Sequence, residues 1–179
     1  MSRMVVALLG CLTFATPALA QSTQAAKPAR EGFTVLVNLG LGFQKDDDLD
    51  ESTIGLAGAN FGIGGFLSEK LALMFRISGT NVRYDVGAFG ELDQVSGVAA
   101  PTVQYWASDR VMLEGGAGLG FWRTDIDYDR GLGLVLGIGA VVFRNGGHNL
   151  VVGAEYAPAF TDSATVHNFG ITFGYQFHR

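Results

Sequence analysis

Large apolar residues alternate with small or polar ones over long stretches of the chain, and this period of two constrains the fold more than any other feature. Six large apolar residues occupy every second position from Phe33 to Phe43, and the stretch from Phe169 to Phe177 repeats the scheme. Residues 132–142 do the same, with glycine at most of the intervening positions. Successive side chains of a β-strand point to opposite faces. The sequence therefore predicts strands with one greasy face and one face that is small or polar.

Further strands are predicted between these, with a less regular pattern, at 53–66, 71–84, 92–106, 111–124 and 150–160. Gly79 marks a change of phase that predicts a β-bulge, and Pro101 weakens the predicted pairing of its strand. Tight turns recur about every 40 residues, the length of a hairpin with its connection, at 67–70, 107–110 and 144–149. Residues 33–177 therefore predict an all-β fold, a single up-and-down antiparallel barrel of about eight strands.

The composition suits lipid better than water. Hydrophobic residues make up 48% of the chain and charged residues 16%, below the usual quarter. After the first twenty residues, no run of about eighteen apolar residues lacks a polar interruption, which disfavours a membrane-spanning helix. A closed barrel is the other structure that pairs every backbone group inside a bilayer. We therefore predict a transmembrane β-barrel, and the alternative is a soluble lipocalin-like barrel with its greasy side chains inward.

Residues 1–20 have the layout of an export signal that is cleaved. Arg3 supplies a positive charge, Met4–Phe14 is apolar, and small residues precede the predicted cleavage site. A lipoprotein box ending at Cys11 is the alternative, which the short stretch before it disfavours. Cleavage after the signal removes the only cysteine, so we predict a mature chain without disulfides or thiol chemistry. Residues 21–32 then form a short polar tail in the periplasm.

The longer connections are acidic, whereas the tight turns are nearly neutral. Outer-membrane barrels have short periplasmic turns and longer external loops, so we place the acidic loops outside and both termini in the periplasm. Carboxylate oxygens suit Ca²⁺ or Mg²⁺, which predicts either a solvated acidic rim or weak bridging by divalent cations to lipopolysaccharide phosphates. The spacing is not that of an EF-hand, so no resident metal or other cofactor is predicted. The acids are Asp46, Asp47, Asp48, Asp50 and Glu51 in the first loop and Asp125, Asp127 and Asp129 in the third.

Three charged residues, Arg76, Glu114 and Glu155, fall on the inward phase of their predicted strands. A charge that faces lipid near the middle of a bilayer costs about 2–4 kcal/mol, but inside a barrel it can pair. We predict an interior network of Arg76 with Glu114, Glu155 or both, as a structural salt bridge or, alternatively, as a gate or proton-sensitive site. Eight strands enclose a narrow space that side chains fill, so the interior is predicted to be plugged.

The alternating strands, the short tail, the long outer loops and the aromatic final strand up to Phe177 resemble the small outer-membrane barrels. This group includes the transmembrane domain of outer-membrane protein A, outer-membrane protein X and the opacity-type proteins. The resemblance covers 33–177 and is one of architecture, without a diagnostic motif. Members usually end on an aromatic residue, whereas His178 and Arg179 follow Phe177 here. The resemblance implies assembly by the barrel-insertion machinery and a place among outer-membrane lipid and lipopolysaccharide.

Members of such a family are structural, adhesive, weakly conducting or enzymatic. We predict a non-enzymatic outer-membrane barrel with a structural or surface-interaction role, and the alternative is a low-conductance, porin-like channel. A lipid A-modifying enzyme is the third candidate, with His167 beside Ser163 and Asp162, but no motif there places a hydroxyl on an oriented imidazole. Glycine runs such as 115–120 lie within strands, so they predict no nucleotide site. No basic patch predicts nucleic-acid binding.

Overall fold

A computed structural model describes residues 30–46, 52–85, 91–124 and 127–179 of the chain. Strands account for most of these residues, and every pair of neighbouring strands is antiparallel. None of the described residues forms a helix long and apolar enough to cross a membrane. The strands are β1 (Gly32–Asp46), β2 (Ser52–Ser68), β3 (Leu71–Asp85), β4 (Glu91–Trp106), β5 (Val111–Arg123), β6 (Tyr128–Asn145), β7 (His148–Tyr156), β8 (Ala159–Thr161) and β9 (Thr165–His178).

The sheet closes on itself, because β1 pairs with β2 along one edge and with β9 along the other. The short strand β8 pairs with β6 and β9, the same two neighbours that flank β7. β7 and β8 therefore occupy one strand position of the barrel, which we call one stave, and it is interrupted at residues 157–158. Proline has no backbone N–H to donate, but the Pro158 carbonyl still accepts from the N–H of Leu134 at 3.1 Å. The predicted all-β, up-and-down barrel of about eight strands is confirmed.

The two faces of each strand have the chemistry that the alternation predicts. In β3 every even-numbered residue from Ala72 to Val82 is buried, whereas Leu73, Phe75 and Ile77 are exposed. Large apolar side chains are exposed all around the barrel, and Ile171 on β9 is 58% exposed. A continuous apolar surface of this kind faces a partner or a lipid phase rather than water. The alternative of a soluble barrel with its greasy face inward is therefore wrong.

The irregularities of the sheet agree only in part with those that the sequence predicts. The phase of β3 does not change at Gly79, which stays paired with Gly97 of β4. A register shift does lie at this level, in the ladder to β2 between Ile77 and Thr80, but its extra residue is on β2, between residues 57 and 61. Pro101 does not interrupt β4, which keeps its pairing with β3 there, but the ladder to β5 passes from Ala99 to Thr102 without a partner between them. The missing N–H thus weakens only one of the two edges of β4.

The barrel has two unlike ends, which we call the turn end and the loop end. At the turn end the strands are joined by the short connections 69–70, 107–110 and 146–147. At the loop end the connections are 47–51, 86–90, 124–127 and 162–164. The start of β1 and the end of β9 both lie at the turn end, as an even number of staves requires. The predicted contrast in length holds only in part: 47–51 and 86–90 are longer than 69–70 and 146–147, but 107–110 is as long as 124–127 and longer than 162–164.

Aromatic and histidine side chains bracket the apolar belt on β7 and β9. At the turn end the ring of His148 lies 5.1 Å from that of Phe177, and at the loop end the ring of Tyr156 lies 4.5 Å from that of Phe169. The Tyr156 hydroxyl also bonds His167 Nδ1 at 2.6 Å. The two groups are about 26 Å apart along the strand, or about 20 Å in height at the usual tilt. They occupy the levels at which barrels carry their aromatic girdles.

Candidate functional site

The interior of the barrel holds a charged cluster that spans three strands. Arg76 on β3, Glu114 on β5 and Glu155 on β7 all point inward at one level. Nη1 of Arg76 lies 3.1 Å from Oε2 of Glu114, and Nη2 of Arg76 lies 2.7 Å from Oε2 of Glu155. The Arg76 side chain is 1% exposed. The structure thus brings together all three residues of the network that the inward phase of the sequence predicts.

Neutral side chains complete the hydrogen bonding of both carboxylates. Thr102 Oγ1 donates to Glu114 Oε1 at 2.6 Å, and Asn60 Nδ2 donates to Glu155 Oε1 at 2.9 Å. Ser78 Oγ donates to the same oxygen of Glu155. Each of the four carboxylate oxygens therefore accepts a hydrogen bond, which a buried ion pair needs if it is to offset the loss of hydration. The sequence gives these partners only the signal of an inward phase, because their contacts depend on the register between strands.

Glycines make the room that the charged cluster occupies. Gly137 on β6 pairs with Glu114 on one side and Glu155 on the other, so the two carboxylates flank a position without a side chain. A Cβ on Gly62 would lie 2.6 Å from Cδ of Arg76, so the arginine side chain passes directly over this glycine. The cavity beside the cluster has a volume of about 20 Å³. Such a space is too small for any ligand larger than water.

Apolar layers lie on both sides of the charged cluster, although the sequence predicts an interior filled mainly by polar side chains. These residues sit on the face that the alternation marks as small or polar, and their apolar character becomes informative only once closure places them together. They also bury a substantial area, which stabilises the barrel from within. The layer towards the turn end contains Leu36, Ala72, Met74, Trp106, Met112, Val141 and Val151, and that towards the loop end contains Val98, Ala100, Val135 and Ala157.

The mouth of the barrel at the turn end is covered by Arg30 and Trp106. The Arg30 guanidinium lies 3.8 Å from the centre of the Trp106 ring, and its Nη2 donates to the carbonyl of Asp109 at 2.6 Å. Arg144 Nη2 donates to the same carbonyl at 2.5 Å. Burial, and then the charge of Arg144, lowers the pKa of Arg30 to about 10, so the guanidinium stays protonated at neutral pH. The predicted polar tail therefore contributes a buried side chain at its end.

Trp106 is fully buried. Its position on the inward phase of β4 is the physical reason. Its Nε1 donates to Oε1 of Gln104 at 3.2 Å, and the same oxygen accepts from Nε2 of Gln176 at 2.8 Å. The indole is thus held by one hydrogen bond at its edge and by a cation over its face, the pairing that tryptophan favours when buried.

A glycine with a left-handed backbone turns the chain so that Arg30 reaches the mouth. Gly32 has a φ of 68°, and a Cβ there would lie 2.2 Å from the carbonyl oxygen of Arg179. The N–H of Arg179 donates to the carbonyl of Phe33 at 3.0 Å, which fixes the two chain segments side by side. Both the dihedral angle and the close approach require glycine. The cover over the mouth therefore depends on Gly32.

The acidic loop residues are placed only in part. Asp46 ends β1, and Asp127 and Asp129 lie at the start of the stave formed by β6. Asp129 Oδ2 accepts from the N–H of Ser163 at 2.8 Å and from its hydroxyl, which ties two loop-end connections together. Within the described ranges, no group of three or more histidine, cysteine or acidic residues could hold a metal ion. Outside those ranges lie Asp47, Asp48, Asp50, Glu51 and Asp125.

The residues of the predicted Ser–His set each have a different partner. The hydroxyl of Ser163 donates to Asp129, whereas His167 Nδ1 bonds the hydroxyl of Tyr156 at 2.6 Å. His167 also stacks on the Tyr156 ring with an interplanar angle of 4°. A nucleophilic serine needs its proton directed at the imidazole, and here it is directed at a carboxylate.

Comparison with known proteins places the whole barrel in one group. The model of the outer membrane protein beta-barrel domain matches residues 6–177. A search of curated proteins finds no significant match.

Solved structures of outer-membrane proteins share the fold. Ail, the attachment invasion locus protein of Yersinia pestis, in complex with the heparin analogue sucrose octasulfate, matches with a TM-score of 0.59 and 17% identity, over 83% of this chain and 99% of that one. Neisserial surface protein A matches with a TM-score of 0.57 and 17% identity, over 83% and 97%. OprG from Pseudomonas aeruginosa matches with a TM-score of 0.50 and 13% identity, over 85% and 99%. At these identities the likeness concerns the fold alone.

Proposed function

Because the chain belongs to the outer membrane protein beta-barrel domain family, we propose that it is a non-enzymatic outer-membrane barrel with a structural or surface-interaction role, whose interior is closed to ions. The membership itself implies an outer-membrane location. The observation that carries the proposal is the contact of one buried guanidinium, that of Arg76, with both Glu114 and Glu155 across the barrel.

Four features along the barrel axis support a closed interior. An ion that enters from the turn end meets Arg30 and Trp106, then an apolar layer, then the charged cluster. To pass the cluster it must break the contacts of Arg76, and breaking a buried ion pair costs about 3–5 kcal/mol. A second apolar layer follows on the side of the loop end. Each step opposes a continuous column of water.

Recording in planar lipid bilayers tests the closed interior. Purified, folded protein should add no reproducible single-channel steps to those of the bare membrane. Steady conductance of uniform size would contradict the proposal and favour the porin-like channel. One observation favours the porin-like channel as a second candidate: the cavity beside Arg76 is lined by the polar side chains of Asn38 and Thr172 as well as by the carboxylates.

The non-enzymatic role is tested on the lipid that an enzyme of this kind would modify. Incubation with lipid A should leave the mass spectrum of the lipid unchanged. The different partners of Ser163 and His167 support this expectation. A change in lipid mass that disappears in His167→Ala would establish an enzyme instead.

The orientation and the partners are part of the same proposal. We infer that residues 1–20 are a cleaved signal, that both termini lie in the periplasm, and that the loop end meets lipopolysaccharide, with divalent cations between the acidic loops and the phosphates. Assembly then uses the barrel-insertion machinery. The longest connections, 47–51 and 86–90, lie at the loop end and the shortest, 69–70 and 146–147, at the turn end, which supports this orientation.

Two measurements test that orientation. A peptide tag inserted in the connection 47–51 should be accessible to antibody on intact cells, whereas a tag at 146–147 should become accessible only after the outer membrane is broken. The protein should also fractionate with the outer membrane and migrate differently on gels before and after heating. Recovery in the soluble periplasm would contradict the location.

A further inference from the structure

An open groove with a volume of about 480 Å³ lies at the turn-end mouth, between the connections 69–70 and 107–110. Sites for small molecules have volumes of this order. Its most buried wall consists of Arg30, which is 4% exposed, and of the Trp106 ring that Arg30 covers. The turn residues that complete the groove are exposed. The groove therefore opens to the water beyond the turns and not to the lipid around the barrel.

The guanidinium of Arg30 has an unused donor in this wall. Arg30 and Arg144 both donate through Nη2 to the carbonyl of Asp109. Nε of Arg144 also donates to Oδ1 of Asn149 at 3.1 Å, whereas Nε of Arg30 is buried and has no hydrogen-bond partner among the described residues. A buried donor without an acceptor is unfavourable, so a ligand that supplies an acceptor here would gain a strong contact.

Both signs of charge line the groove. The cations are Arg30, Lys70 and Arg110, and the acids are Glu69 and Asp109. Burial lowers the pKa of Arg30, and the two carboxylates are close enough to oppose that shift. Beside the groove, the exposed Glu31 and Arg179 add one charge of each sign. A ligand of a single sign, such as phosphate, would meet like charges here as well as opposite ones.

We propose that this groove binds a short peptide with free termini, whose carboxylate lies against Arg30 and whose amine lies against the acids. A carboxylate is a strong acceptor for a guanidinium, and the zwitterion satisfies both signs of charge. An acyl chain fits less well, because the Trp106 ring is fully buried beneath Arg30. The peptide comes from the periplasm, so the assignment rests on the proposed function, which places the turn end in that compartment.

Fluorescence titration of the purified protein in detergent with trialanine, whose charges are about 10 Å apart when it is extended, tests this site. Trp122→Phe leaves Trp106 as the single tryptophan, and a peptide bound to Arg30 should change its emission. Trialanine amide lacks the carboxylate, and N-acetylated trialanine lacks the amine. Each should bind about tenfold more weakly, the effect of losing one hydrogen bond to a charged group.

Two arginine variants in the same background locate the contact. Arg30→Lys keeps the charge but loses the Nε donor, so it should weaken the binding of trialanine about tenfold. Arg144→Lys is the matched control, because it loses the same kind of bond to the Asp109 carbonyl but its Nε bonds Asn149, outside the groove. It should bind like the unaltered protein. Heat-modifiable migration confirms that each variant is folded.

Several results would overturn the proposal. No binding of trialanine, or equal binding of trialanine and its amide, would show that no carboxylate is held. Equal weakening in the two arginine variants would show that charge acts without a defined site, and equally tight, Arg30-dependent binding of inorganic phosphate would show a general anion site. Binding that appears only after deletion of residues 21–29 would assign the groove to the chain's own preceding segment.

These failures are separate from failure of the proposed function. Peptide binding to purified protein does not depend on the orientation in the membrane, so its loss leaves the closed barrel in place. An inaccessible 47–51 tag on intact cells would instead contradict the proposed function itself.

Discussion

The two halves of the barrel interior, on either side of Arg76, are filled by different chemistry. Towards the turn end the apolar layer is thick, and the oxygen of Gln104 beside it accepts hydrogen bonds from Trp106 and Gln176. Towards the loop end the apolar layer is thinner, and both polar atoms of the buried Gln44 lack a hydrogen-bond partner. Single unpartnered polar atoms occur in both halves, including Gln104 Nε2 and Gln176 Oε1. The difference is sharpest between Gln104, whose oxygen accepts two hydrogen bonds, and Gln44, neither of whose polar atoms has a partner.

Substitution of Arg76, at the boundary between the two halves, should have the largest effect on stability. Arg76→Met leaves two buried carboxylates without their cation and should lower the free energy of unfolding by about 4 kcal/mol. Urea unfolding in detergent micelles measures this loss. A charge-free variant with Glu114→Gln and Glu155→Gln added should recover most of the stability. If the single substitution costs less than about 1 kcal/mol, the cluster does not divide the interior as the contacts indicate.

The cover of the turn half should be sensitive to one glycine and not to another. Gly32→Ala forces a Cβ against the carbonyl of Arg179 at a positive φ, so it should cost about 2–3 kcal/mol and loosen the contact of Arg30 with Trp106. Gly146→Ala is the matched control, because its φ is 57° but a Cβ there would meet no described atom within 4 Å. It should cost about 1 kcal/mol. A red shift of tryptophan emission in Gly32→Ala alone reports the opened mouth, and equal effects in both variants would argue against the cover.

A matched pair of glutamines compares the halves directly. Gln104→Leu removes the acceptor of two hydrogen bonds in the turn half and leaves buried donors unpaired, so it should cost about 1–3 kcal/mol. Gln44→Leu removes unpartnered polar atoms from the loop half and should be neutral or stabilising. Both glutamines are fully buried, so exposure does not confound the comparison. Equal losses in urea unfolding would mean that the loop half is satisfied to the same degree.

The smallest expected effect on stability comes from changing the shape of the cation at position 30. Arg30→Lys keeps the charge over the Trp106 ring but loses the planar guanidinium that also bonds the Asp109 carbonyl. A loss of about 0.5–1 kcal/mol is expected. The shift in thermal midpoint should be smaller when Trp106 is already replaced by leucine, because only the bond to the Asp109 carbonyl then remains to be lost. An undiminished shift in that background would show that the contact with the Trp106 ring contributes nothing.

The fold could be predicted because its signal is local. The alternation from Phe33 to Phe43 already separates the outward from the inward face, and the same phase selects Arg76, Glu114 and Glu155 as inward charges. Register is not local, since it relates residues on different strands. Ser78 on β3 meets Glu155 on β7, and Thr102 on β4 meets Glu114 on β5, so the sequence could not pair either hydroxyl with a particular carboxylate.

The sequence also could not predict the roles of residues that come together only when the barrel closes. Tryptophan is a residue type common in aromatic girdles, and only the inward phase of Trp106 indicates that it is buried. Leu36 is an apolar residue among small and polar neighbours on the inward face. Arg30 belongs to a polar stretch that looks like a tail, and only the turn at Gly32 brings it under the mouth. The acids of the first loop lie outside the described residues, so their predicted role with divalent cations stays a prediction.

Because Gly32 packs against Arg179, the turn end can close only after β9 has paired with β1. Arg30 donates a hydrogen bond to Asp109 in the middle of the chain, but the turn at Gly32 that positions it packs against Arg179, which follows β9. A chain in which β9 has not yet joined β1 lacks the surface on which that turn packs, and Trp106 then has no cation over its face. An intermediate that has stalled before the final seam would therefore present an open, apolar mouth to chaperones and proteases of its compartment, and the finished barrel would not.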